Sequence, residues 1–230
     1  DLYQISRSDQ DAFALHSQQK ATAAQQSGRL AQEIAPVTIP QRKGDPIVFE
    51  KDEFIKPNSS MEGLAKLRPA FRKDGSVTAG NASGLNDGAA ALIVASSEAV
   101  AEYGLKPLAR IVSSAVVGVE PRIMGIGPVE ASKQALAKAG LTLEQMDLIE
   151  LNEAFAAQSI ACIRALGLAD NDPRINPNGG AIAIGHPLGV TGARIAYSAA
   201  LELQQTGKQY ALITMCIGVG QGYAVIIERA

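Results

Sequence analysis

Cysteine and histidine are scarce in this chain of 230 residues, with two of each. Cys162 and Cys216 lie far apart and form no C-x-x-C pair, which excludes a disulfide framework and suits a reducing, cytoplasmic setting. His16 and His186 are too few for an ordinary zinc site, so no metal is expected. Neither charge is in excess: 21 basic residues face 23 acidic ones, for a formal net charge of -2. The basic residues are scattered, so neither nucleic acid nor an anionic membrane is an expected partner. No apolar run reaches the length of a membrane span, no signal-peptide pattern opens the chain, and no internal repeat is visible. Asp1 stands where an initiator Met would, just before a helical start signal, so the sequence reads as cut from something longer.

What is present suits a layered α/β protein. Hydrophobic residues make up 47% of the chain, enough for a sizeable core. Ser6 with Asp9 starts a polar, Ala-rich helix over Arg7 to Ser27, and Gly28 stops it. Ile34 to Ile39 is extended, and a Pro- and charge-rich region without a sustained period runs to Lys73, broken by a short helix near Met61 to Leu67. Small-residue turn chemistry from Ala79 to Gly88 feeds Ala89 to Ala95, a continuous apolar run that predicts a strand buried on both faces. A helix over Ser97 to Tyr103 follows. Strands over Ala109 to Val117 and Asp147 to Leu151 then alternate with helices over Val129 to Ala139, Glu153 to Leu166 and Gly189 to Gln205. Tyr210 to Cys216 and Tyr223 to Glu228 close the chain as two strands joined by a Gly-rich turn. Alternation ended by a hairpin predicts a mixed sheet between helices.

Three segments at strand ends carry chemistry, the usual place for sites in α/β folds. In Asn152-Glu153-Ala154-Phe155-Ala156, the side chain of Asn152 either caps the following helix or points into a cleft to polarise a carbonyl or hold a water. In Asn178 to Gly192, Pro187 holds His186 on an extended turn before a helix, between glycines that let backbone approach a ligand. Proximity to a helix N-terminus predicts a lowered pKa and a neutral ring able to accept a proton. In Cys216-Ile217-Gly218-Val219-Gly220-Gln221-Gly222, the thiol is either core filler or reactive, and the alternating glycines offer backbone N–H groups to an oxyanion. Two rival motifs fail. A strand rather than a helix follows Gly218-Val219-Gly220, and Gly80 to Gly88 lacks the Lys-Ser/Thr ending of a phosphate loop.

Together and in this order the segments resemble the thiolase family. Asn152 to Phe155 is similar to its N-E-A-F block, Gly179 to Gly192 to its G-G-A-I-A-x-G-H-P-x-G-x-x-G block, and Cys216 to Gly222 to its C-x-G-x-G-x-G block. Asn81 to Ala90 and Ser8 to Asp11 extend the resemblance over essentially the whole chain. It implies a layered α-β-α-β-α architecture with mixed sheets. Residues 1–75 would be a remnant of a CoA-binding loop domain, 76–105 the closing piece of the N-terminal half, and 106–230 the C-terminal domain. It also implies ping-pong acyl transfer, either cleavage of a 3-oxoacyl-CoA by CoA or the reverse Claisen condensation. Coenzyme A and acyl-CoA thioesters are then substrates, no further cofactor is needed, and the protein assembles as a homodimer or homotetramer.

The resemblance assigns roles residue by residue. His186 matches the histidine that activates the nucleophilic cysteine, Cys216 the second cysteine that moves a proton, Asn152 the asparagine of one oxyanion hole, and Gly218 the glycine of the other. Ser83, Phe155 and Ala154 resemble residues contacting the pantetheine arm, and Lys56 falls where relatives often carry Arg near the nucleotide end. The nucleophile's own segment has no match here, and mid-helix Cys162 reads as a packing residue. Val219 in C-I-G-V-G-Q-G is similar to the 3-oxoadipyl-CoA branch, which makes a dicarboxylic 3-oxoacyl-CoA the leading substrate. A non-catalytic acyl-CoA-binding relative and a Cys–His hydrolase built on Cys216 and His186 are the alternatives.

Overall fold

A computed structural model describes residues 1–230. Helix α1 (Arg7–Gln26) starts where Ser6 Oγ accepts the Asp9 N–H at 3.0 Å, a side-chain cap for an orphan donor. Its buried face includes Gln10, Ala14, Ser17, Ala21 and Ala24, small or polar residues at helical spacing that let neighbouring elements come close. Strands β1 (Val37–Ile39), in the stretch expected to be extended, and β2 (Ile47–Phe49) form a small antiparallel hairpin. Short helix α2 (Met61–Ala65) and helix α3 (Ser97–Tyr103) follow.

The body of the fold is β3 (Ala109–Gly118), α4 (Gly127–Ala139), β4 (Leu148–Leu151), α5 (Ala156–Ala165), α6 (Ala181–Ile184), α7 (Leu188–Thr206), β5 (Tyr210–Ile217) and β6 (Gln221–Arg229). Four of these strands form one mixed sheet in the order β3-β6-β5-β4, antiparallel except for the parallel pair β4/β5. The two-residue strand period sorts its side chains into two cores. Ile149, Leu151, Leu212, Ala224 and Ile226 pack with Ala131, Ala135 and Leu136 of α4, Ile160 and Ile163 of α5, and Phe13 of α1. Leu148, Ala211, Ile213 and Ile227 face Ile195, Ala199 and Leu203 of α7. Helices therefore cover both faces, and α1 lies outside α5 and α6.

Four features differ from the sequence expectation. Ala89 to Ala95 forms no strand, and Ile93 and Val94 are 88% and 78% exposed. A continuous apolar run signals burial only if neighbouring strands exist, and no strand of this chain pairs with it. The helix expected from Glu153 begins at Ala156 instead, because Phe155 is extended and bridges antiparallel to Ala82. The four-residue α6 went unforeseen inside the glycine-rich block. β1 falls within the extended stretch expected over Ile34 to Ile39, whereas β2 went unforeseen in the region running to Lys73, since a three-residue strand is too short to show a period.

Candidate active site

The site grows from the carboxyl ends of the parallel strands β4 and β5. Beyond β4, the Asn152 N–H donates to Thr214 O at 3.0 Å, so the chain stays beside β5 for one more residue. Asn176 holds the other side. Its amide gives an N–H to Leu151 O and accepts the Leu151 N–H, both at 2.9 Å, as a neighbouring strand would. Asn152 is 1% exposed, and the N-cap of α5 is Phe155, so the capping reading of Asn152 fails. Its Nδ2 lies 3.4 Å from His186 Nε2, and its Oδ1 is buried without a partner.

His186 sits in the turn between α6 and α7, at 9% exposure. Its backbone N–H points at Gly84 O and Asn86 Oδ1, each at 3.3 Å, which ties the turn to the loop of residues 83–86. The ring Nδ1 lies 2.7 Å from Thr191 Oγ1 in the first turn of α7. Burial, followed by the positive charge of Arg194, holds the imidazole below its ordinary pKa. The neutral ring expected from sequence is thus favoured chiefly by burial, where the nearby helix N-terminus had been the expected reason.

Cys216 lies one residue before the end of β5, opposite Gly222, and burial pushes its thiol above the ordinary range. Strand alternation places it on the same face of the sheet as Leu212 and Thr214. The structure brings His186 and Asn152 into contact. Cys216 stands at the same end of the sheet, and no hydrogen bond joins it to either. Of the glycines beyond it, Gly222 serves packing: a Cβ there would overlap the carbonyl of Gly127 at the start of α4. Gly218 lies in the open turn, and its N–H donates to no backbone carbonyl. The Gly220 N–H likewise donates to no backbone carbonyl, but a Cβ on Gly220 would meet Val119 O, so of the two Gly218 is the one in open space.

The residues expected around the pantetheine arm also gather. Ser83 gives both its N–H and its hydroxyl to Ala154 O, at 3.0 and 3.1 Å. Phe155 stacks edge-on against Phe71, with ring centroids 6.4 Å apart. Lys56 stands apart from that group but is linked to it. Its Nζ lies 4.8 Å above the Phe54 ring, which packs on Gly84, and its N–H donates to Gln18 Oε1 at 2.8 Å. Two cavities of about 420 and 270 Å³ lie away from His186 and Cys216. The first is walled by Tyr3, Phe71 and Gln158, the second by His16, Lys20 and Glu153.

Residues 105–229 match the family model for the thiolase C-terminal domain, and residues 1–98 match that for the thiolase N-terminal domain. The chain belongs to the thiolase family. It is 62% identical over 225 residues to a beta-ketoadipyl-CoA thiolase of Acinetobacter baylyi, covering 98% of this chain and 56% of that protein. It is 55% identical over 227 residues to an acetyl-CoA acetyltransferase of Chromobacterium violaceum, covering 99% of this chain and 57% of that protein. The crystal structure of human mitochondrial 3-ketoacyl-CoA thiolase in complex with CoA superposes with a TM-score of 0.92 at 50% identity, over 98% of this chain and 55% of that one. The chain thus spans little more than half the length of the curated relatives it matches.

Several residues of this thiolase site escaped the sequence reading. Asn86 and Asn176 reach His186 and Leu151 from 100 and 25 residues away, with nothing local to announce the pairing. Thr191 and Arg194 lie within one or two helical turns of His186, where no motif assigned them a part. Glu153 does have a local signal, its place beside Asn152. Its buried carboxylate accepts from Ser17 Oγ at 2.6 Å, Asn176 Nδ2 at 2.8 Å and the Ile182 N–H at 3.2 Å, which pins α1 and α6 to the end of β4. Cys162 is fully buried in α5, its thiol donating to Gly125 O at 3.3 Å and pushed up to about 12 by burial, as a packing residue should be.

Proposed function

We propose that this chain supplies the base, the proton-carrying thiol and the oxyanion donors of an acyl-CoA acyltransferase that cleaves 3-oxoacyl-CoA with CoA. The contact between His186 Nε2 and Asn152 Nδ2 carries the reading, because it sets a neutral imidazole against a polarising amide at the open end of a parallel strand pair. In this scheme His186 Nε2 takes the proton of a nucleophilic cysteine supplied by sequence outside these residues. The thiolate adds to the C3 carbonyl of the substrate, and its oxyanion meets N–H donors. The C2–C3 bond then breaks, Cys216 gives its proton to C2, and acetyl-CoA leaves. Finally CoA, deprotonated by the Cys216 thiolate, attacks the acyl-cysteine and restores both sulfurs.

The raised pKa of Cys216 suits this proton-donor part. It also weighs against the rival hydrolase, which would need Cys216 as a thiolate nucleophile. Ser83, Ala154, Phe155 and Lys56 would contact coenzyme A, which enters as a substrate, and no further cofactor is required. The free thiols Cys162 and Cys216 fit a reducing cytoplasm, and the family resemblance brings with it a dimer or tetramer. Val219 and the beta-ketoadipyl-CoA relative favour 3-oxoadipyl-CoA as the acyl substrate.

The test is thiolysis by this sequence extended to the full length of its relatives. His186→Ala and Asn152→Ala should each lower kcat by about 10²–10³ while leaving the fold intact. Near-normal turnover in either variant removes that residue's role. Cleavage of 3-oxoadipyl-CoA should outrun that of acetoacetyl-CoA, and the reverse order removes the substrate assignment. These 230 residues alone should form no acyl-enzyme; a trapped acyl group on Cys216 would instead establish the hydrolase.

A further inference from the structure

A base at position 186 needs its lone pair on Nε2, the nitrogen facing Asn152, so its ring proton must sit on Nδ1. Nothing intrinsic to imidazole guarantees this, because the tautomer follows from what the other nitrogen bonds. We propose that Thr191 is a positioning residue that holds His186 in the Nδ1–H tautomer. Thr191 is fully buried, and its Oγ1 lies 2.7 Å from His186 Nδ1. The hydroxyl proton has an outlet that leaves the oxygen free to accept. Thr191 Oγ1 donates to Pro187 O at 3.1 Å, the bond back to the preceding turn that helical threonines commonly make. With that proton committed, the oxygen meets Nδ1 as an acceptor and Nδ1 must carry the hydrogen. Across the ring, Asn152 Nδ2 offers only N–H groups to Nε2, which calls for the lone pair there. Both neighbours select the same tautomer.

The arrangement also serves the protonated ring. When Nε2 gains a proton, Nδ1–H keeps its acceptor and Thr191 need not turn, so proton transfer leaves this side of the site unchanged. Helix α7 supplies both Thr191 and the Pro187 turn, so the ring is aimed by backbone that starts two residues after it.

The inference deepens the proposed acyl transfer and rests on it for its purpose, yet the tautomer can be read on this chain with no substrate present. The chain has two histidines, so ¹⁵N-labelled histidine gives two imidazole sets, and His16→Gln leaves His186 alone. Above the pH at which the ring loses its charge, Nδ1 should show the N–H signature and Nε2 the lone-pair signature. Thr191→Val, close in shape but without a hydroxyl, should move the tautomer ratio about tenfold or more toward Nε2–H. Thr191→Ser should restore it. An Nε2–H ring in the unmodified chain overturns the inference, as does an Nδ1–H ring that persists in Thr191→Val. Should Thr191→Val not fold, the spectrum of the unmodified chain still decides. Failed thiolysis with Nδ1–H intact removes the proposed function alone; Nε2–H with thiolysis intact removes this inference alone.

Discussion

Glu150 shows what a single carboxyl does when a strand is covered on both faces. It lies in β4, 4% exposed, under α7, and burial pushes its pKa up to about 8 from an ordinary 4.5. Arg194 pulls the other way, and the nearby Glu33, Glu153 and Glu202 push further up. A raised folded-state value means the folded chain keeps a proton that the unfolded chain releases between 4.5 and about 8, so stability falls as pH rises through that window. Glu150→Gln removes this liability. It should raise the melting temperature near pH 9 and change it little near pH 4, with each kcal/mol recovered worth about 2–4 °C in a chain of this size. An equal shift at both pH values, measured by calorimetry, would contradict the assignment. At this scale the sequence was legible where chemistry is local: Asn152 and Cys216 stand in compact motifs at strand ends, and His186 in one that turns out to join two helices, α6 and α7. Thr191 and Arg194 were not, although both follow His186 closely in α7, because helix spacing does not say which side chain turns back to the imidazole.

Elements were readable wherever their stop signals were. Gly140, at a φ of 67°, ends α4 where the sequence placed its end, and the closing hairpin β5/β6 pairs as its two apolar runs suggested. The apolar run Ala89 to Ala95 misled because hydrophobicity reports a wish for burial and says nothing about whether a partner strand is at hand. Gly222 shows the opposite limit. In sequence it looked like part of a ligand-binding turn, whereas its strict need for no side chain comes from Gly127 of α4 pressed against β6. Gly222→Ala should therefore cost about 1–3 kcal/mol through overpacking, read as a lower urea midpoint at an unchanged slope. Gly218→Ala, whose added methyl meets open space, should leave the midpoint nearly unmoved.

At the scale of the whole molecule, the residues before the exposed run are belted to the rest by buried and half-buried polar bonds as well as by the alanine-lined α1. Ser17 holds Glu153, Ser83 holds Ala154, Lys20 Nζ reaches Ile175 O at 2.9 Å, and Arg29 pairs with Glu202 at 3.0 Å. Each bond joins residues before the exposed run to residues after it. That run offers its backbone to solvent and contains no lysine or arginine, the nearest being Lys73 and Lys106. Trypsin should therefore pass it by, while thermolysin, which cuts before exposed Leu, Ile and Val, should nick it early. The two pieces ought to run separately on a denaturing gel yet leave a sizing column as one particle. A chain severed there would still be, for its active site, a single body.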